Sequence, residues 1–270
     1  MTERGYRFRS VWASASTRCI RGYELTDGEW SIIEPLLPNK PHGVPRVDDR
    51  RVLNGILWRF RTGSPWAEIP ERYGPSTTCY NRFVRWRKAG VWDRLLAAVS
   101  AAFEGEIVMI DATCIRVHQH GATGKKGEPG DRGMGRSRGG LTSKTHALVD
   151  ADGRPVTLRL TGGQVHDSQE AEALIAAMPE GATLLADKGY DSNAIREAAA
   201  SRNVWANIPS RSNRTQRFAF SDWLYRQRNL VERFFNRIKH FRSIATRYDK
   251  CPENHLAAVK LICARIWCAA

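Results

Sequence analysis

No stretch of this chain approaches the roughly 18 consecutive apolar residues of a membrane-spanning helix. Its basic residues also lack the strongly apolar opposite face of an interfacial helix. A membrane partner is therefore not expected. None of the six cysteines (Cys19, Cys79, Cys114, Cys251, Cys263, Cys268) forms a Cys-x-x-Cys pair. That spacing favours reduced thiols packed as small hydrophobes in a cytoplasmic protein, with Cys114 inside a strongly apolar strand pattern. Cys251 and His255 are spaced like half of a zinc site, but no second pair accompanies them. Internal repeats and long low-complexity segments are also missing. Acidic residues are in short supply: 28 Asp and Glu stand against 42 Lys and Arg, a formal net charge of +14. A chain this basic attracts polyanions, because neutralising phosphates releases condensed counterions. Nucleic acid is the leading partner.

Hydrophobic residues make up 42% of the 270, enough for a globular core of ordinary size. Residues 1–22, rich in Arg and Ser, show no periodicity. They read as a basic extension without fixed structure, a transit peptide, or sequence upstream of the true start. Residues 23–100 read as short helices broken by Pro and Gly. Thr26-Asp27-Gly28-Glu29 has capping-box spacing ahead of Trp30, Ile32, Ile33, Leu36 and Leu37. A second helix is expected over 49–61. A third, capped by Ser76 and running to Lys88, should set Tyr80, Phe83 and Val84 on one face, with Arg82, Arg85, Arg87 and Lys88 supplying positive charge. A short helix, a turn and a basic helix outline a helix-turn-helix-like, all-α domain that would bind DNA ends. A small bundle with a solvated basic face has the same pattern.

From residue 105 the texture changes. Ile107-Val108-Met109-Ile110 is a continuous apolar run fit for a buried strand, ending in Asp111. A Gly- and Arg-rich loop follows over 121–140. Strands over 145–149 and 155–160 are joined by the turn Asp150-Ala151-Asp152-Gly153. Helices are expected after Asp167, over 193–201 and over 222–242. Further strands are expected over 183–186, leading into Asp187, and 204–208. Three antiparallel strands followed by helix-linked strands give an α/β ribonuclease-H-like domain, a mixed five-stranded sheet with flanking helices, over 105–270. In it the first and fourth strands lie side by side and parallel, so Asp111 and Asp187 would be neighbours.

A carboxylate at the end of a buried strand is costly to keep ionised, and two together raise one pKa. A divalent cation removes that conflict. In the last helix Tyr225, Arg228, Glu232 and Lys239 line one stripe beside the apolar stripe of Val231, Phe234, Ile238 and Phe241. Glu232 can then reach toward both aspartates. The alternative is a surface ion pair between Arg228 and Glu232.

The spacing of Tyr225, Arg228, Glu232 and Lys239 resembles the signature of bacterial insertion-sequence DDE transposases. Asp111-Ala112-Thr113, GRSRGGLTSKTHALVD (135–150), ADKGYDSNAIR (186–196) and LTDGEWSIIEPLLP (25–38) resemble the fifth insertion-sequence family in the same order. The resemblance covers about residues 23–268 and several separate motifs. It implies a ribonuclease-H-like catalytic domain in which Asp111, Asp187 and Glu232 are the catalytic acids and hold two Mg²⁺ or Mn²⁺ ions. Glu232 follows Asp187 by 45 positions, too few for the large inserted domain of some relatives.

The chemistry implied is phosphodiester hydrolysis at the ends of the element, then strand transfer of the freed 3′-OH into target DNA. Double-stranded DNA (terminal inverted repeats and target) is the implied partner, with a homodimer on paired ends acting at the bacterial nucleoid. Tyr225, Arg228, Lys239, Lys188, Arg136, Arg138, Lys144, Arg82, Arg85, Arg211 and Arg214 are candidate DNA contacts. The basic loop 124–140, with Lys125 and Lys126, would follow a DNA backbone or serve as a flexible linker. Two rival readings remain: a nuclease of the same fold that does not join DNA, and a non-catalytic or domesticated DNA-binding remnant.

Overall fold

The computed structural model describes residues 23–38, 47–101, 103, 105–123 and 132–269. The expectations for residues 1–22 and for Lys125 and Lys126 lie outside the described residues. Helix α1 (Asp27–Ile33) starts with the expected capping box: Thr26 Oγ1 accepts from the Glu29 N–H at 3.1 Å, and Glu29 Oε2 accepts from the Thr26 N–H at 2.7 Å. Helix α2 (Asp49–Thr62) is capped by Asp48 and stops at Gly63, whose φ of 77° is the left-handed conformation that ends a helix. Residues 63–75 then form two single turns of 3₁₀ helix, a wider connection than a helix-turn-helix turn. Helix α3 (Ser76–Lys88) has Pro75 at its N-cap, and Ser76 makes no cap, which corrects that expectation. Its buried side is Cys79, Arg82, Phe83 and Trp86, leaving Tyr80 exposed. Gly90 turns the chain into α4 (Val91–Ser100).

Strand β1 (Ile107–Val117) follows, then α5 (Gln119–Ala122), β2 (Gly135–Ser137) and β3 (Gly140–Asp150). Much of what read as a loop over 121–140 is therefore helix end and hairpin. Next come β4 (Pro155–Gly162), α6 (Ala171–Ile175), β5 (Thr183–Leu185), α7 (Asn193–Ala200) and β6 (Trp205–Asn207). The expected long helix over 222–242 is divided. It comprises α8 (Asp222–Tyr225), a 3₁₀ turn over Arg226–Arg228, α9 (Asn229–Lys239) and α10 (Arg242–Ala245). Strand β7 (Thr246–Arg247) and helix α11 (Pro252–Cys268) complete the described chain.

The five expected strands form one sheet in the order β4-β3-β1-β5-β6. β1, β3 and β4 are antiparallel neighbours, whereas β5 and β6 run parallel to β1. This is the ribonuclease-H-like layout. Two short strands add to it: β2 pairs with the start of β3, and β7 with the end of β1. Side chains alternate across the sheet. Val108, Ile110, Leu148, Leu184 and Ala186 pack with α6 and α7 on one face. Met109, Ala147, Val149 and Leu185 pack on the other with α9, α11 and the N-terminal helices. β1 outruns this core, so Cys114, expected inside, is exposed.

Helix α11 is buried almost all round, the mark of a central helix. Trp267 donates from Nε1 to the Pro155 carbonyl at 2.7 Å. Arg265 donates to Glu29 Oε1 at 2.9 Å and to the Tyr23 carbonyl at 2.7 Å. The N-terminal helices and the sheet thus share one core. No helix among the described residues is long and apolar enough to cross a membrane.

Candidate active site

β1 and β5 carry two aspartates to the same end of the sheet. Their last registered pair is Met109 with Leu185, and two residues further along each chain stand Asp111 and Asp187. Alternation turns Asp111 to the face of Met109, where α9 lies. Burial raises the Asp111 carboxyl above its usual range. The Ala112 N–H at 2.8 Å and the Arg228 charge oppose that rise, while Asp187 and Asp167 add to it. Asp187 Oδ1 accepts from the Gly189 N–H at 2.7 Å and caps the 3₁₀ turn Lys188–Tyr190.

α9 lays Val231, Phe234, Phe235 and Ile238 on the core, which leaves Glu232 at its margin. Arg228, on the 3₁₀ turn before α9, joins the two parts of the site. Its Nη1 donates to Asp111 Oδ2 at 3.1 Å, and its Nη2 donates to Glu232 Oε1. One guanidinium therefore spans Asp111 and Glu232. Further along, Lys239 Nζ donates to Thr113 Oγ1 at 2.6 Å, on the same face of β1 as Asp111. The Tyr225 ring lies 5.3 Å from that of Phe220, with the Arg228 guanidinium 5.8 Å from it.

Asp111 and Asp187 offer hard oxygen donors of the kind Mg²⁺ and Mn²⁺ select. A cation between them would also relieve their mutual repulsion. Glu232 is turned onto Arg228 and is 54% exposed. Consistent with that rotamer, among the described residues no three His, Cys, Asp or Glu side chains are grouped closely enough to share an ion. The donor chemistry of the two aspartates suits a divalent cation, and Glu232 could join them once its side chain leaves Arg228.

Arg136 and Arg138, on the β2–β3 hairpin, are exposed, as are Lys188 and Arg85. Four other candidate DNA contacts already have protein partners. Arg82 is 8% exposed and paired with Asp49. Lys144 is 12% exposed, 2.7 Å from Asp167, and donates to the Val165 carbonyl. Arg214 donates to Asp191 at 2.6 Å and to Asn193 at 2.8 Å. Arg211 donates to the carbonyls of Lys188 and Gly189 at 3.2 and 2.7 Å. Asp191, fully buried, also accepts from Arg196 Nε at 2.9 Å and from the Arg211 N–H at 2.8 Å. The basic loop is thereby strapped to the turn that follows Asp187.

Two neighbours of the site were missed from sequence. Asp167 bears on the charge of Asp111, but it follows a loop and no apolar run marks it. Tyr190 is 1% exposed, and its hydroxyl has no partner among the described residues. Burial pushes that phenol well up, and Asp111, Asp167 and Asp187 reinforce the rise.

Residues 102–267 match the family model described as a transposase DDE domain. The chain belongs to the DDE transposase family. Residues 25–96 of this transposase match a second model, described as a putative transposase of the IS4/5 family. A putative transposase for insertion sequence element IS6501 from Brucella ovis is 36% identical over 129 residues, 47% of this chain and 98% of the relative. A putative transposase for IS402 from Burkholderia cepacia is 32% identical over 135 residues, 46% of this chain and 62% of the relative. The crystal structure of a pre-cleavage Mos1 transpososome aligns over 86% of this transposase and 81% of its own chain. Its TM-score is 0.28 and its identity 13%, too distant to bear on any residue.

Proposed function

We propose that this transposase cleaves insertion-sequence ends in double-stranded DNA to free a 3′-OH and joins that hydroxyl to target DNA. Asp111, Asp187 and Glu232 would be its catalytic acids, holding two Mg²⁺ or Mn²⁺ ions. The observation that carries this reading is the pair of aspartates, each two residues beyond the last registered pair of β1 and β5, with Arg228 spanning Asp111 and Glu232. The chemistry the ions supply when bound is neutralisation of charge on the attacking and leaving oxygens of an in-line displacement at phosphorus.

In the first step a water oxygen bonds to phosphorus as the bond to the 3′ oxygen breaks, leaving a 3′-OH and a 5′-phosphate. In the second, the 3′ oxygen attacks a target phosphodiester and displaces another 3′ oxygen. One P–O bond forms for each broken, so no ATP is needed. Arg228 and Lys239 hold phosphates beside the acids, and Tyr225 stacks on or hydrogen-bonds the DNA. Arg136, Arg138, Lys188 and Arg85 are exposed for backbone contacts. Residues 23–100 bind the element's end, residues 105–270 carry the chemistry, and two copies act on paired ends in the cytoplasm.

The test is strand transfer in Mg²⁺ on a labelled duplex carrying the element's own end, with Asp187→Ala alongside. Joined product from the wild type and none from the variant is the expected result. Cleavage without joining would favour a nuclease, and tight end binding without cleavage in either protein would overturn the catalytic assignment.

A further inference from the structure

A cavity of about 510 Å³, lined by none of the three acids, lies where α2 ends against α10. Arg61, Thr62, His240 and Arg242 line it, and no carboxylate does. Its frame is tight. A Cβ on Gly63 would stand 3.0 Å from the Arg242 Cβ, and Arg59 Nη1 donates to Ser243 Oγ at 2.9 Å, tying α2 to α10. Arg61 lies 5.6 Å from the Phe241 ring centroid, a contact that steadies a guanidinium without neutralising it. Among the described residues neither Arg61 nor Arg242 has an ion-pair partner, unlike Arg82, Arg214 and Arg228. Arg242 is exposed and Arg61 half-buried, so both guanidiniums are open to an incoming anion. The recess also begins one residue beyond Lys239, whose ammonium reaches Thr113 on the Asp111 face of β1.

Resting on the reading of DNA as substrate, we infer that this recess takes one backbone phosphate of the bound DNA. Arg61 and Arg242 are its two charged donors. The recess is built jointly by the end of α2 and by α10, with His240, the C-cap of the helix that carries Glu232, between them. A phosphate seated there registers the DNA against both regions at once, without reading its sequence.

Fluorescence anisotropy on end duplexes tests this, each duplex carrying one neutral methylphosphonate in place of one phosphate. The wild type is compared with Arg61→Gln/Arg242→Gln and with Arg61→Lys/Arg242→Lys, whose melting temperatures report folding. At one or two adjacent phosphates the neutral linkage should weaken wild-type binding roughly 10-fold and the Gln variant no further. The Gln variant should also lower the slope of log affinity against log salt by about 1, and the Lys variant should keep it. If every neutral linkage costs the Gln variant what it costs the wild type, with an unchanged slope, the recess is not a phosphate site, though the transposase reading stands. If the wild type shows no salt-dependent binding to duplex, both fall.

Discussion

His146 and His255 are held inside the protein as neutral imidazoles. Burial pulls His146 down to about 4 and His255 to about 3, against 6.5 for the free side chain. The unfolded chain takes up protons near pH 6.5 while the folded one does not. Stability is therefore full above that pH and lost as pH falls toward the folded values, by an amount of order 2 kcal/mol per histidine at pH 5. His146 has Thr161 Oγ1 at 2.8 Å, whereas neither ring nitrogen of His255 has a partner among the described residues. We expect His255→Leu to stabilise by about 1 kcal/mol at pH 7 and by more at pH 5, measured by urea melts at each pH. At this scale the sequence was uneven. Asp111 and Asp187 stood out because apolar strands lead straight into them. Asp167 and Tyr190 join the same electrostatic neighbourhood from a loop and a turn, where no periodicity marks them.

Among the elements, the strap between the 209–217 loop and the turn after Asp187 depends on one buried acid. Burial opposes the Asp191 charge, but bonds from Arg214, the Arg211 N–H and Arg196 outweigh it and hold the carboxyl below its usual range. Its contribution to stability is thus present above about pH 4 and lost only as pH falls below that. Asp191→Asn should cost about 3–5 kcal/mol, because two arginines lose a buried counter-charge. Hydrogen exchange should quicken over 187–191 and 209–217 and stay unchanged in α11. The same strap was not legible in the sequence. Composition shows that Arg211 and Arg214 are charged, but not that Arg214 pairs with Asp191 while the Arg211 guanidinium bonds the carbonyls of Lys188 and Gly189. Strand order and the β1–β5 pairing were legible, because alternation and helix-linked strands leave few topologies.

Taken whole, the molecule depends on α11. The sequence suggested a boundary near residues 100–105, but the apolar pattern of 252–268 does not say which neighbours it covers. α11 packs on α1, α4 and β4 together. Trp267→Ala should therefore destabilise by about 3–5 kcal/mol. Tryptophan fluorescence and far-ultraviolet circular dichroism should still report one coincident transition in urea. Two separated transitions would mean that the N-terminal helices and the sheet fold independently.

Arg265 meets Glu29 and Tyr23 across 236 and 242 residues of chain. Closing so long a span costs entropy before any contact repays it, so this seam forms late. Interactions made after the folding barrier act mainly on the rate of unfolding. The contacts of Arg265 therefore do little for how quickly a newly made chain becomes native, and much for how long each native molecule lasts.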